Sequence, residues 1–297
     1  MNAYDEAIGT PAISATARAI SRRNLYHWLL LLLLPVGFIL TFYVYPLTRM
    51  LLMSFFDPQF TWEHYAHFIA NPAYSTVLIE TFKMAASVTV ICFVLGYPVA
   101  YLLSNSPPRV SSLLMIIVVL PFLTAILVRT YAWMVMLGRN GVLNQVLLQT
   151  GLISSPLKLM HNLIGVYVGM VQILLPFMIM PLYSVMSGIN KDYMKAAENL
   201  GASPVRVFTN VFFPLSLPGV GGGCLLVFII GLGFYITPAL LGGISDVMIS
   251  MLIEAQVNTL LNWGFASALA VILLGLTLFL FYFYNRFFGV DKLMGGH

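Results

Sequence analysis

The sequence predicts an all-α integral membrane protein with six transmembrane helices. Of its 297 residues, 60% are hydrophobic and only 8% are charged. Mean hydropathy is +0.93. A soluble domain carries about 25% charged residues, so the surplus apolar surface here must face lipid. The third observation is how that apolar content is distributed. A bilayer core about 30 Å thick needs roughly 20 apolar residues per helical crossing, and six stretches qualify. They run over about 27–47, 77–103, 111–137, 163–186, 218–241 and 265–287. No segment of soluble-domain length separates them. A single membrane domain therefore spans 26–287, between tails at 1–25 and 288–297.

The N-terminal tail is polar and rich in small residues. It lacks the early apolar core of a cleaved signal peptide, so it is read as retained. Orientation follows from the basic residues. With the N-terminus inside, Arg18, Arg22, Arg23, Arg109, Lys191, Lys195, Arg206, Arg286 and Lys292 are cytoplasmic, which is 9 of the 14 Lys and Arg. Outer loops hold Arg49, Arg139 and Lys158, and Lys83 and Arg129 fall within spans. Both termini are therefore expected in the cytoplasm. The net charge of +4 comes with no basic run that grips nucleic acid.

Within the second span lie Glu80, Lys83, Cys92, Tyr97 and Pro98. The third holds Pro121, Arg129, Tyr131 and Trp133. The fourth has Pro176, and the fifth has Gly221 to Gly223, Cys224, Tyr235, Thr237 and Pro238. Each proline removes a backbone hydrogen bond and tends to kink its helix. Broken helices around a polar route are common in transporters. Ionisable residues inside spans are costly and mark functional candidates. On this basis Glu80, Tyr97, Arg129, Tyr131, Trp133, Tyr235, Thr237 and, after the fifth span, Glu254 are the candidate pathway residues. The alternative reading of Glu80 and Lys83 is a local ion pair. Tyr and Trp also collect at membrane interfaces. Cys92 and Cys224 read as small core residues. His64 and His67 stand three apart in an outer loop with no third metal ligand near them. The glycine run lacks the lysine and hydroxyl of a phosphate loop, and it reads as a flexible or close-packed helix start.

The segment between the fourth and fifth spans, 191–214, is the most informative. Asp192 through Leu200 favours a helix, with Asp192 at its positive end. Gly201 is the natural stop, since it accepts a left-handed backbone. Ser203 then caps a second helix with Pro204 at its first position, running to Pro214. A helix, glycine turn and helix facing the cytoplasm suit docking with another protein. The Ala196-Ala197 pair permits close approach, and Met194, Leu200 and Val207 offer apolar surface to bury.

This segment resembles the signature loop of binding-protein-dependent ABC transporter permeases. The family pattern is Glu-Ala-Ala, three residues, Gly, nine residues, Ile, one residue and Leu-Pro. The chain supplies Lys195-Ala196-Ala197, Gly201, Val211 and Phe213-Pro214 at the same spacing. Lys195 stands where the family has an acid. Glu198 lies one turn along the same face and is placed to supply it. Other segments resemble the spermidine/putrescine branch of that family. They are 96–102, Val128-Arg129-Thr130-Tyr131-Ala132-Trp133, Gly141-Val142-Leu143-Asn144, 233–243 and 262–268.

The resemblance implies a type I ABC importer permease fold and alternating access. The coupling-loop residues would be Lys195, Ala196, Ala197, Glu198, Gly201, Ala202, Ser203, Pro204 and Pro214. Implied partners are a second homologous permease, two copies of a cytoplasmic ATPase, a periplasmic binding protein and the lipid bilayer. No nucleic acid, catalytic set, metal or cofactor is implied for the chain itself, and ATP and magnesium would sit on the ATPase. The implied solute is small and amine-bearing, such as spermidine or putrescine. Amino acid-derived compounds, opines and aminophosphonates are alternatives within the branch. For Arg129, a structural hydrogen-bond network is favoured over a place on the route, because a cation there would repel a polyamine. An ion-coupled secondary transporter is the rival class, and it lacks a clear mid-membrane carboxylate. An intramembrane enzyme lacks a catalytic set.

Overall fold

A computed structural model describes residues 30–56 and 59–288. The expected tails at 1–25 and, past Phe288, at 289–297 lie outside the described residues, as do Arg18, Arg22, Arg23 and Lys292. Among the described residues the chain is helical, with no β-strand. Its helices are α1 (Leu30–Met53), α2 (Glu63–Ala70), α3 (Pro72–Asn105), α4 (Pro108–Val119), α5 (Ile126–Leu137), α6 (Val142–Gln149), α7 (Leu163–Ser187), α8 (Asp192–Asn199), α9 (Pro204–Leu232), α10 (Ile236–Leu241), α11 (Ile249–Asn258) and α12 (Trp263–Phe288).

Five of these, α1, α3, α7, α9 and α12, are long and apolar enough to cross a membrane. The remaining expected span, 111–137, is not straight. Pro108–Leu123 and Ile126–Gln149 are bent by 94° at the break between them. Pro121 sits in the 3-10 turn Leu120–Leu123 just before this break. The fifth span also departs from expectation. α9 begins at Pro204, runs through Pro214 and Pro218 without stopping, and ends at Leu232. The chain then breaks at Gly233 to Tyr235 and re-forms α10, with Pro238 near its start. The second loop helix expected to end at Pro214 is therefore the first part of a span. A π turn at Phe208–Phe212 precedes Pro214. It widens the helix where that proline has no N–H to offer. By contrast, α3 passes Pro98 and α7 passes Pro176 as single helices.

The centre of the fold is α3, α7 and α9. Met84, Val88 and Cys92 of α3 meet Met170, Leu174, Met178 and Leu182 of α7 and Val227 of α9, all buried. The α7 and α9 backbones approach closely, as small residues allow between membrane helices. A side-chain carbon at Gly219 would come within 3.2 Å of the Leu182 Cα, and one at Gly223 within 2.8 Å of the Met178 sulfur. Gly223 is thus close-packed within α9. α1 lies at the edge and packs on α12 through Tyr45–Met53.

Two hydrogen bonds bind the outer segments to this centre. The Ile249 N–H donates to Thr81 Oγ1 at 2.9 Å, and Ser250 Oγ donates to the Phe234 carbonyl at 2.6 Å. They fix α11 against α3 and against the break between α9 and α10. His67 packs on the Phe265 ring at 5.0 Å, with its Nε2 at 3.4 Å from the Tyr74 hydroxyl.

Candidate functional site

The loop between α7 and α9 forms as its residues dictate. The Asp192 N–H donates to Asn190 Oδ1 at 2.9 Å, which starts α8. Gly201 stops it with φ +86°, the left-handed conformation that favours glycine. Its N–H donates to the Glu198 carbonyl at 2.9 Å, and the Ala202 N–H to the Ala197 carbonyl at 3.1 Å. Pro204 opens α9 and Ser203 is its N-cap residue, although the Ser203 side chain makes no capping bond.

α8 presents two different faces. Lys191, Met194, Lys195 and Glu198 line a cleft of about 310 Å³ against Tyr101 and Asn105 of α3 and Phe208 and Phe212 of α9. Tyr193, Ala196, Ala197 and Leu200 line a shallow apolar groove against Val211, Pro214 and Leu215. The fold thus gathers the alanine pair, Val211 and Pro214 into one surface, although 12 residues lie between Ala197 and Asn210, where the far wall begins. Of the apolar residues expected to dock, Leu200 is 89% exposed, while Val207 is buried. Met194 packs against the chain's own core. Tyr193 and Val205 supply the exposed apolar surface that Met194 and Val207 do not. Lys195 Nζ lies 3.3 Å from Asp192 Oδ1, in an exposed pair one turn apart.

An aromatic cluster joins this loop to α3; the sequence reading took Tyr97 as a pathway candidate and Phe213 as part of the signature loop, and did not read them as a cluster. Tyr101 meets the Phe212 ring edge-on at 5.0 Å and Phe208 at 5.6 Å, and Tyr97 meets Phe213 at 5.8 Å. The signal for it was the spacing of Tyr97 and Tyr101, and of Phe208 and Phe212, at one helical turn each.

The candidate pathway residues divide by environment. Tyr97 is buried and bonds Ser216 at 2.9 Å, and Thr237 is fully buried at 3.3 Å from Thr130 Oγ1. Both pack against neighbouring helices through these contacts. Glu80 pairs with Lys83 at 2.7 Å on the exposed side of α3, the local pair weighed above. Trp133 Nε1 approaches Gln172 Oε1 at 3.4 Å. Arg129 stands one turn before Trp133 on the same side of α5, with its Nε and Nη1 buried and without a hydrogen-bond partner among the described residues. The structural network expected to hold Arg129 is not formed by these residues. Tyr131 is exposed on the other side of α5. Tyr235 and Glu254 are electrostatic neighbours across the break before α10, and Glu254 also accepts from Asn258 Nδ2 at 3.2 Å.

Comparison with known proteins places this architecture. A family described as "Binding-protein-dependent transport system inner membrane component" matches residues 92–288. The chain is 34% identical over 276 residues to the spermidine/putrescine transport system permease protein PotB of Haemophilus influenzae, covering 88% of this chain and 92% of that relative. It is 36% identical over 236 residues to the protein of the same name from Escherichia coli K12, covering 78% and 86%. Among solved structures, a chain of a bacterial alginate ABC transporter in complex with a pentasaccharide-bound periplasmic protein superposes with a TM-score of 0.74. That match has 17% identity and covers 91% of this chain and 95% of the other.

Proposed function

The chain belongs to the inner membrane components of binding-protein-dependent transport systems, and from that premise we propose that it moves a polyamine into the cell. It is the permease subunit of an ABC importer. Putrescine and spermidine are the solutes proposed, and what supports them is the 34–36% identity to permeases named for them. Tyr235 and Glu254 add an aromatic face and a carboxylate, which together suit an ammonium group.

The observation that carries the mechanism is the loop 191–214. An isolated apolar groove, lined by Ala196, Ala197 and Pro214 and topped by the exposed Leu200, is a surface that another protein covers. The partner is a cytoplasmic ATPase, present in two copies, one for this chain and one for a second permease. ATP and magnesium bind there. Both termini and the loop face the cytoplasm, and a periplasmic binding protein delivers solute to the opposite side. Closure of the ATPase pair displaces α8. Because α9 starts at Pro204, five positions after α8 ends at Asn199, and continues into the membrane, the displacement passes into the span. The Tyr97, Tyr101, Phe208 and Phe212 cluster carries it on to α3. The breaks after Leu123 and Leu232 are where the bundle yields.

Competition for uptake tests the solute. Unlabelled putrescine or spermidine suppresses uptake of labelled putrescine by cells carrying the transporter, and a sugar acid does not. Suppression by the sugar acid alone would remove the polyamine reading and leave the permease reading intact.

A further inference from the structure

We propose that the pocket bordered by Arg139, Lys158 and His161, between the end of α5 and the start of α7, holds the headgroup of an anionic phospholipid, and that this lipid braces the outer ends of the two helices. This rests on the permease reading above, which puts residues 138–162 on the outer side of the membrane.

One buried side chain builds the pocket. Asn144 of α6 is fully buried, and its Nδ2 donates to the Gly138 carbonyl at 3.1 Å and to the Leu157 carbonyl at 3.0 Å. The Leu157 N–H donates in turn to Asn144 Oδ1 at 2.8 Å. The two ends of the outer segment are thereby clamped together. Arg139 follows Gly138 and Lys158 follows Leu157, so both cations border one open pocket of about 600 Å³, with His161 beside them. Arg139 and Lys158 are exposed, and neither has an ion-pair partner among the described residues. The segment 138–162 contains no Asp or Glu. The loop at Gly243 backs on the His161 carbonyl, but its Asp246 is buried and accepts from the Gly243 N–H and from Ser245. The positive charge of the pocket is therefore left for an outside anion.

The pocket stands where lipid headgroups lie. Val135 and Met136, in the last turn of α5, are exposed just before Arg139. Leu163 and Ile164, in the first turn of α7, are exposed just after His161. Val142 and Val146, one turn apart on α6, are exposed too, while Asn144 between them turns inward. Exposed apolar side chains that give way directly to cations mark the edge of a bilayer. Basic groups at that level gain from anionic headgroups. A phospholipid matches both features, since it brings an anion and acyl chains in one molecule. An acidic protein surface matches the charges alone. A cationic solute is repelled by the same groups, so the patch does not gather putrescine. A lipid seated here ties α5 to α7 at their outer ends, beside the loop that follows α10.

The test uses the assembled transporter in phosphatidylcholine vesicles. A trace of phosphatidylglycerol carrying a diazirine at the top of one acyl chain is added, or of phosphatidylcholine carrying the same group. On illumination the diazirine loses dinitrogen, and the carbene inserts into a neighbouring C–H or O–H bond. The expected result is labelling within 138–162 that is about tenfold or more greater from phosphatidylglycerol than from phosphatidylcholine. The double variant Arg139→Gln with Lys158→Gln loses this preference, and Arg139→Lys with Lys158→Arg keeps it. Equal labelling by the two lipids, or a preference unchanged in the glutamine variant, overturns the proposal. Loss of binding-protein association in the glutamine variant, with the lipid preference intact, assigns the patch to that protein and also overturns it. If the glutamine variant does not assemble, the comparison of the two lipids on the unmodified chain decides. Labelling needs neither solute nor ATP, so its failure leaves the permease reading to be judged by ATP-dependent uptake alone.

Discussion

The Tyr97 hydroxyl lies 2.9 Å from Ser216 Oγ, both residues being buried between α3 and α9. Ser216 already donates to the Phe213 carbonyl at 2.8 Å, so Tyr97 is the donor in the contact. The bond sits beside the aromatic cluster and locks the loop end of α9 to α3.

Direction of donation makes two single substitutions unequal. Tyr97→Phe removes the donor and leaves Ser216 satisfied, at a cost of about 1 kcal/mol. Ser216→Ala leaves the Tyr97 hydroxyl buried and unpaired, at about 1–3 kcal/mol. Thermal unfolding of the purified chain in detergent should show a larger fall in Tm for Ser216→Ala. The reverse order would mean that Tyr97 is not the donor.

In the proposed coupling, docking depends on the turn at Gly201 and the small side chain at Ala197. Gly201 holds φ +86° with no atom within 4 Å of an added side-chain carbon, so the penalty for substitution is conformational and not steric. Gly201→Val costs roughly 1–2 kcal/mol locally and leaves the protein in the membrane, but ATPase co-purification and uptake both fall. Ala197→Trp fills the groove with the same result. Membrane content measured beside co-purification separates lost docking from lost protein.

Charge at the start of the signature loop gives a third outcome. The pair of Lys195 with Asp192 is exposed and contributes little to stability. Lys195→Glu restores the family pattern and leaves docking and uptake near normal. Glu198→Lys weakens docking if Glu198 replaces the missing acid. Equal docking by Glu198→Lys and the unmodified chain, measured by co-purification, would show that the ATPase does not use this carboxylate.

At the opposite end, Glu254→Gln tests the ammonium reading. Loss of one charge-assisted contact of about 1.5 kcal/mol corresponds to about a tenfold rise in KM for putrescine. The permease pair and the ATPase remain bound. An unchanged KM removes Glu254 from the route.

Much of this architecture was legible because the bilayer writes it in runs of apolar residues. α1, α3, α7 and α12 fall where hydropathy places them. The stop at Gly201 and the start at Pro204 were readable from backbone chemistry alone. The breaks were not. Thr124 to Ala125 and Gly233 to Tyr235 lie inside stretches whose average polarity is unchanged by a bend, and Pro121 was the only local sign of the first. Pro214 misled for a related reason. A proline ends a helix unless the preceding turn opens, and the π turn at Phe208–Phe212 leaves no mark in composition. Tyr97 and Thr237 show a further limit: the sequence places a polar side chain within a span but does not name the helix it bonds, and here Tyr97 meets Ser216 and Thr237 meets Thr130.

Right-side-out vesicles containing the assembled transporter, with binding protein outside, test the central claim most directly. Labelled putrescine uptake is measured with and without ATP in the lumen, and with and without an ionophore that collapses ion gradients. A permease coupled through the Ala196 to Pro214 surface gives uptake that requires ATP, persists with the ionophore and is lost in Gly201→Val. Uptake that needs no ATP and vanishes with the ionophore, or that is normal in both Gly201→Val and Ala197→Trp, would contradict it.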